Sequence, residues 1–245
     1  SNSGTRQSCI WDINGNATLI GSLSPWSNAG EVTAVVVFLC GGEHEAAGAI
    51  EIWKNSSEKP LQLNVSEGYY GSLQQFEAIS KTTMLVKGIG LPGLSWEQYQ
   101  PILMEGLGSL AAFIRGKAAT QAGLTRGFAI PISIEQEQVY IMTFLSEDSS
   151  PLAKRLQIWI PDANHERLVC KTAYGRENHG LAQIFEGNSV LKGEGLVGKA
   201  WSSAIPVIGT SEIGAVDTDS ASISTLLAIP VTNKDRLQSV VVFLF

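Results

Sequence analysis

The stretch VKGIGLPGLSW, residues 86–96, sets three glycines in the spacing G-x-G-x-x-G: Gly88, Gly90 and Gly93. LKGEGLVGKAW, residues 191–201, repeats it with Gly193, Gly195 and Gly198. Each copy is followed by a Trp (Trp96, Trp201) and then a Pro (Pro101, Pro206). Such spacing is found in dinucleotide loops, where a strand leads in and a long helix carries the phosphates at its N-terminus. Here the prolines stand eight residues past the last glycine, which limits any helix to about two turns. Neither copy opens its repeat as a βαβ unit would. The glycines are therefore expected to serve a tight turn with positive φ. Leu91 and Trp96, with Leu196 and Trp201, would pin a short helix to the core.

Outward from these loops the chain repeats. AIEIW (49–53) matches RLQIW (155–159), and FAIPI (128–132) leading to VYIMTFL (139–145) matches LAIPV (227–231) leading to SVVVFLF (239–245). The period is on the order of 100 residues, which means two domains in tandem and not a solenoid. Each repeat reads as two strands, a middle segment with the glycine loop, and a closing hairpin. Strands, then helical segments, then strands predict α+β domains with antiparallel sheets. Residues 108–124 are predicted helical from the spacing of Leu110, Phe113, Ile114, Ala118 and Ala122, ending at Gly123. The second copy has only a weaker helical segment, SEIGAVDTDSASIS. The expected division is 1–42, 43–148 and 149–245. The first of these, with a hairpin over 18–40, reads either as the close of a preceding domain or as an extension of the first sheet.

With 245 residues, 44% apolar and 16% charged, the chain has the composition of a core-forming protein. A net charge of −6 with no basic cluster argues against nucleic acid or an anionic membrane surface as partner. No apolar run reaches the roughly 20 residues of a membrane span. No secretory leader is expected at the N-terminus. Three Cys without metal-type spacing fit a reducing, cytoplasmic compartment.

Few residues offer chemistry. Arg115 lies in the apolar run AAFIRGKAA; it could meet a ligand anion as a fork donor, stand on a solvated face, or pair with Glu97 or Glu105. Cys9, Cys40 and Cys170 read as buried thiols without the electropositive setting that a thiolate needs. His44, His165 and His179 fall in polar turns without metal-ligand spacing. Glu147, Asp148, Asp217 and Asp219 read as solvated charges. Trp53 and Trp159, at matching strand ends, read as core aromatics or as walls of a pocket.

VKGIGLPGLSWEQYQPI, FIRGKAATQAGLTRGFAIPI and VYIMTFL, followed by LKGEGLVGKAWSSAIPVI, TLLAIPV and SVVVFLF, together resemble a tandem pair of GAF domains of a bacterial signalling subgroup. The resemblance covers about residues 45–245. It implies, for each domain, a central antiparallel sheet of five or six strands flanked by short helices, with a pocket under the loop. It implies a non-catalytic sensory or regulatory module of a larger signalling protein, binding a small molecule, forming a homodimer, and linked to an output domain. The ligand has no name on this reading. In the first domain its pocket would be bounded by Gly88, Ile89, Gly90, Leu91, Trp96, Phe113, Arg115 and Ile130. A degenerate GAF pair serving only protein–protein interaction is the alternative; a GAF-fold redox enzyme is a distant third. Two features depart from the pattern. The long flanking helices are absent, and the second copy lacks the F-x-R…A segment. No Cys adjoins a His as in bilin-binding members, and the Asn-Lys-Phe-Asp-Glu pattern of cyclic-nucleotide binders is not found.

Overall fold

The computed structural model describes residues 48–134, 138–148, 153, 155–175, 187–210, 225–233 and 236–245, with five short strands nearer the N-terminus. Those strands are β1 (Cys9–Ile13), β2 (Ala17–Ser22), β3 (Ser27–Asn28), β4 (Glu31–Val32) and β5 (Val36–Cys40). They form a three-stranded sheet in the order β1-β2-β5 and a separate β3-β4 pair. The chain divides into two compact units, Ser1–Ser150 and Pro151–Phe245.

The first unit continues with β6 (Gly48–Lys54), β7 (Gln62–Tyr69), α1 (Gln74–Thr82), β8 (Met84–Val86), α2 (Gly90–Gln98), β9 (Ile102–Glu105), α3 (Gly116–Gln121), β10 (Arg126–Ile134) and β11 (Val139–Ser146). The second has β12 (Arg155–Pro161), β13 (Arg167–Gly175), β14 (Ser189–Leu191), α4 (Gly195–Ser203), β15 (Val207–Thr210), β16 (Thr225–Asn233) and β17 (Arg236–Leu244). Each unit holds a six-stranded antiparallel sheet. The orders, β8-β7-β6-β11-β10-β9 and β14-β13-β12-β17-β16-β15, are the same permutation. The fold is α+β with antiparallel sheets flanked by short helices, as the sequence predicts.

Local chemistry explains the repeated details. A bulge interrupts β6–β7 between Ile52 and Trp53, and another interrupts β12–β13 between Ile158 and Trp159. Pro131 lies in β10 beyond Ala129, where pairing with β9 stops and a missing N–H is tolerated. In the glycine loops, Gly88 and Gly90 have φ of 81° and 70°, and Gly193 and Gly195 have 87° and 56°. The third glycine serves another need: a Cβ on Gly93 would lie 2.3 Å from the Val86 carbonyl oxygen, and one on Gly198 2.2 Å from that of Leu191. The N–H of the first glycine donates to the carbonyl of the third at 2.8 Å in both copies. The motif is a turn that seats a nine-residue helix. The strand before it is antiparallel to its neighbour, so no βαβ phosphate cradle exists here.

Two helical expectations need correction. The helix predicted over 108–124 is confined to Gly116–Gln121. Residues 106–115 run through successive turns, in which Phe113 and Gly116 donate to the carbonyls three residues back. Gly108 and Gly116 pack too closely for a regular helix: a Cβ on Gly116 would approach the Leu107 carbonyl to 3.0 Å. Gly123, with φ of 72°, does end the helical segment. Conversely, α1 forms where the sequence shows only a polar stretch. It buries two residues, Phe76 and Ser80, one turn apart, too thin a stripe to read as amphipathic. The weaker helical segment expected over 211–224 lies outside the described residues.

Strand alternation assigns the core. In the first unit Ala49, Trp53, Leu63, Leu85, Ala129, Ile141 and Leu145 face the helices, and with Leu91, Trp96, Leu107 and Phe113 they form one cluster. Residues of the other parity, Ile50, Ile52, Phe128, Ile130, Met142 and Phe144, are buried too. The second unit repeats this with a cluster around Trp159, Leu168, Val240 and Val242, and a buried opposite face of Leu156, Ile158, Ile229, Val241 and Phe243. Antiparallel sheets commonly leave one face to solvent; in both of these the central strands bury it, while Met84, Val86 and Ile208 at the edges are exposed.

Candidate functional site

β6 places Glu51 and Trp53 on the helix-facing side of the sheet, two residues apart. β11 runs beside it with Thr143 opposite Glu51. Glu51, Thr143 and Ser80 are completely buried. A carboxylate at such depth needs compensation, because desolvation of an unpaired charge costs several kcal/mol or more. Arg115 supplies it from the last residue before α3. Its Nη1 donates to Glu51 Oε1 at 2.5 Å and its Nη2 to Oε2 at 2.9 Å, a bidentate fork. Nη1 also donates to Ser80 Oγ on α1. Trp53 Nε1 and Thr143 Oγ1 each donate to Glu51 Oε2 at 3.0 Å. The carboxylate thus accepts four hydrogen bonds, one at Oε1 and three at Oε2.

Three aromatic rings enclose the guanidinium. Its central carbon lies 5.0 Å from the Trp53 ring centroid, 4.8 Å from that of Phe76 and 5.3 Å from that of Phe113. Tyr70 packs on Phe76 with ring centroids 6.3 Å apart. Its hydroxyl is buried and has no hydrogen-bond partner among the described residues. Burial pushes the Glu51 carboxyl up, but the Arg115 charge and hydrogen bonds, those of Arg115 first, outweigh it and hold the group below the usual carboxylate range. Burial, then the Glu51 charge, raises the Tyr70 phenol.

The second unit carries the same framework with no buried charged side chain among the described residues. Gln157 stands where Glu51 does, and Trp159 Nε1 donates to Gln157 Oε1 at 2.9 Å. Val242 lies opposite Gln157 where Thr143 lies opposite Glu51.

The eight residues expected to bound a pocket do not converge. Leu91, Trp96 and Phe113 are buried together in the first core, and Arg115 is buried beside Phe113. Gly88 and Gly90 form the turn above them, but Ile89 points outward and is 46% exposed. Ile130 lies on the opposite face of the sheet: its neighbours Gly127 and Ala129 face Leu91 and the helices, so alternation turns Ile130 away. Arg115 is neither solvated nor paired with Glu97 or Glu105. Glu105 stands 3.8 Å from Arg126, and Glu97 flanks Gly88. The missed partner is Glu51. The available signal was an acid set between two isoleucines in AIEIW, on the face of its Trp, replaced by Gln in RLQIW.

Other candidates sit elsewhere. Cys170 is buried in the second core, where its thiol contacts the Thr172 carbonyl oxygen. His165 lies in the exposed turn between β12 and β13, beside Arg236. His44, His179, Asp217 and Asp219 lie outside the described residues. Asp148 pairs with Arg126 at 2.8 Å. Among the described residues no group of three or more His, Cys, Asp or Glu could hold a metal ion, and no helix is long and apolar enough to cross a membrane.

No family model and no curated protein matches the chain. Solved structures do. One is the A. aeolicus nlh2 GAF domain in an inactive state, 17% identical with a TM-score of 0.32, covering 42% of this chain and 58% of that one. Another is a GAF domain/HD domain protein of Geobacter sulfurreducens, 14% identical with a TM-score of 0.33, covering 44% and 68%. Among its structural neighbours are GAF domains. A third match is a Staphylococcus aureus NreA protein mutated in its nitrate binding site, 18% identical with a TM-score of 0.34, covering 45% and 81%. The chain thus spans little more than half the length of the first of these.

Proposed function

We propose that the chain is a non-catalytic, tandem GAF-type regulatory module of a larger signalling protein, and that it acts by association, with a second copy or a linked output domain, rather than by taking a ligand into its first domain. One observation carries the choice. The space between sheet and helices in the first domain holds Arg115, Glu51, Trp53, Phe76, Phe113 and Tyr70, all buried and, except for the Tyr70 hydroxyl, satisfied by one another. A pocket that binds a small molecule is concave, with polar groups left to meet the ligand. Here the one buried cation among the described residues, Arg115, is already neutralised by a bidentate carboxylate. The second domain, with Gln157 bonded to Trp159, likewise spends its polar group internally.

Native mass spectrometry of the chain beside its denatured mass tests this. The expected result is a dimer at the bare polypeptide mass. An excess mass that vanishes on denaturation would overturn the closed-interior reading, and a strictly monomeric chain that captures no output domain would overturn the associative one.

A further inference from the structure

The groups around the Arg115 headgroup form a recognition set that does not depend on the arginine's own backbone. Glu51 and Trp53 come from β6, Phe76 and Ser80 from α1; only Phe113 is a near neighbour in sequence. Together they present a carboxylate placed for a fork, a hydroxyl acceptor and three ring faces at 4.8 to 5.3 Å. That combination matches a planar, delocalised cation and not a spherical ammonium. The Tyr70 hydroxyl, buried and unpartnered among the described residues, borders the same box through its contact with Phe76. Arg115 enters from the run of turns at 106–115, whose residue next to it, Ile114, is 56% exposed. The occupant therefore hangs from a surface segment, while the box belongs to the sheet and α1.

We propose that the interior of the first domain is a guanidinium-binding box that the chain closes with its own Arg115, and that a free alkylguanidinium cation enters it when that side chain is removed. Arg115 acts as a tethered, autoinhibitory ligand. Tethering makes Arg115 an intramolecular competitor, and a free cation displaces it only well above its effective concentration, which is at least on the order of millimolar. This inference is independent of how the module associates.

The probe is ethylguanidinium at low millimolar concentration, with ethylammonium at equal ionic strength as control, read by the Tm of the full chain. Ethylguanidinium is expected to raise the Tm of Arg115→Ala by about 5 °C at ten times its dissociation constant. It should leave the unaltered chain and Glu51→Gln/Arg115→Ala unmoved. Equal shifts with ethylammonium, the same shift in the unaltered chain, or a folded Arg115→Ala that does not respond would each overturn the proposal. If Arg115→Ala does not fold alone, folding on addition of ethylguanidinium supports the box, and failure to fold overturns it. Arg115→Lys gives a second reading. A box that reads the planar fork makes Lys nearly as damaging as Ala, whereas a Lys chain as stable as the unaltered one would show that only charge matters and overturn the assignment.

Discussion

Glu51 and Gln157 occupy the same place in their two sheets, and each accepts the indole N–H of the Trp two residues further along its strand, at 3.0 and 2.9 Å. They differ by one charge. The domain with the acid has Arg115 to meet it, and the segment that would supply an arginine is missing from the second copy. Acid and base occur together in one copy, and neither stands at the matching place in the sequence of the other. A buried carboxylate without its partner is an uncompensated charge, whereas an amide in the same place needs only hydrogen bonds.

Breaking the pair from one side should therefore cost far more than removing both. Glu51→Gln strands the Arg115 guanidinium and is expected to destabilise the first domain by about 3–5 kcal/mol. Glu51→Gln/Arg115→Met, which imitates the neutral arrangement of the second domain, should recover most of that loss. A double-mutant cycle in urea measures the difference; additive single effects would contradict the coupling. Gln157→Glu makes the opposite error and should destabilise the second domain.

The pair also sets an acid limb. The Glu51 carboxyl titrates below its ordinary value in the folded chain. A group with a depressed folded pKa contributes stability above its unfolded pKa, and this is lost as pH falls through the folded value. Stability should thus be insensitive to Glu51 near neutrality and decline in acid, below the usual carboxylate range. Urea midpoints measured against pH should show a shallower acid limb in Glu51→Gln/Arg115→Met.

The glycines of the two loops should fail by different mechanisms. Gly93→Ala and Gly198→Ala drive a Cβ into a carbonyl oxygen, so α2 and α4 must shift on their sheets; a loss of about 2–4 kcal/mol is expected. Gly195→Ala meets no atom within 4 Å and bears only the cost of its φ of 56°, about 1–2 kcal/mol. Thermal melts of the three variants should separate the classes.

Both short helices end in a left-handed residue that is not glycine: Tyr99 and Ala204, each with φ of 54°. Ala204 is exposed and donates its N–H to the Ala200 carbonyl, as a helix-ending residue does. Ala204→Gly should relieve the strain and stabilise the second domain by about 0.5–1 kcal/mol, seen as a higher urea midpoint. An unchanged or lower midpoint would mean that the Ala methyl contributes packing there.

How much of this was legible in the residues can be followed at particular positions. Gly88, Gly90 and Gly93 announced a tight turn, and Pro101 and Pro206 announced the short helix after it, because backbone dihedrals and missing donors act within a few residues. The matching of AIEIW with RLQIW announced two copies of one domain, since alternation along a strand is local as well. Tertiary structure decided the rest. Arg115 and Glu51 are 64 positions apart, and nothing near either one selects the other. Ile130 and Ala129 are neighbours, but which of them faces the helices depends on the register with β9 and β11. The spacing of Leu110, Phe113 and Ile114 suited a helix, yet close packing at Gly108 and Gly116 bent it into turns. Over one turn or one strand the residues themselves determine what the backbone can do. Which polar group goes inside, and what neutralises it there, was settled only by closing the sheet, because the cost of burying a charge depends on every group that surrounds it.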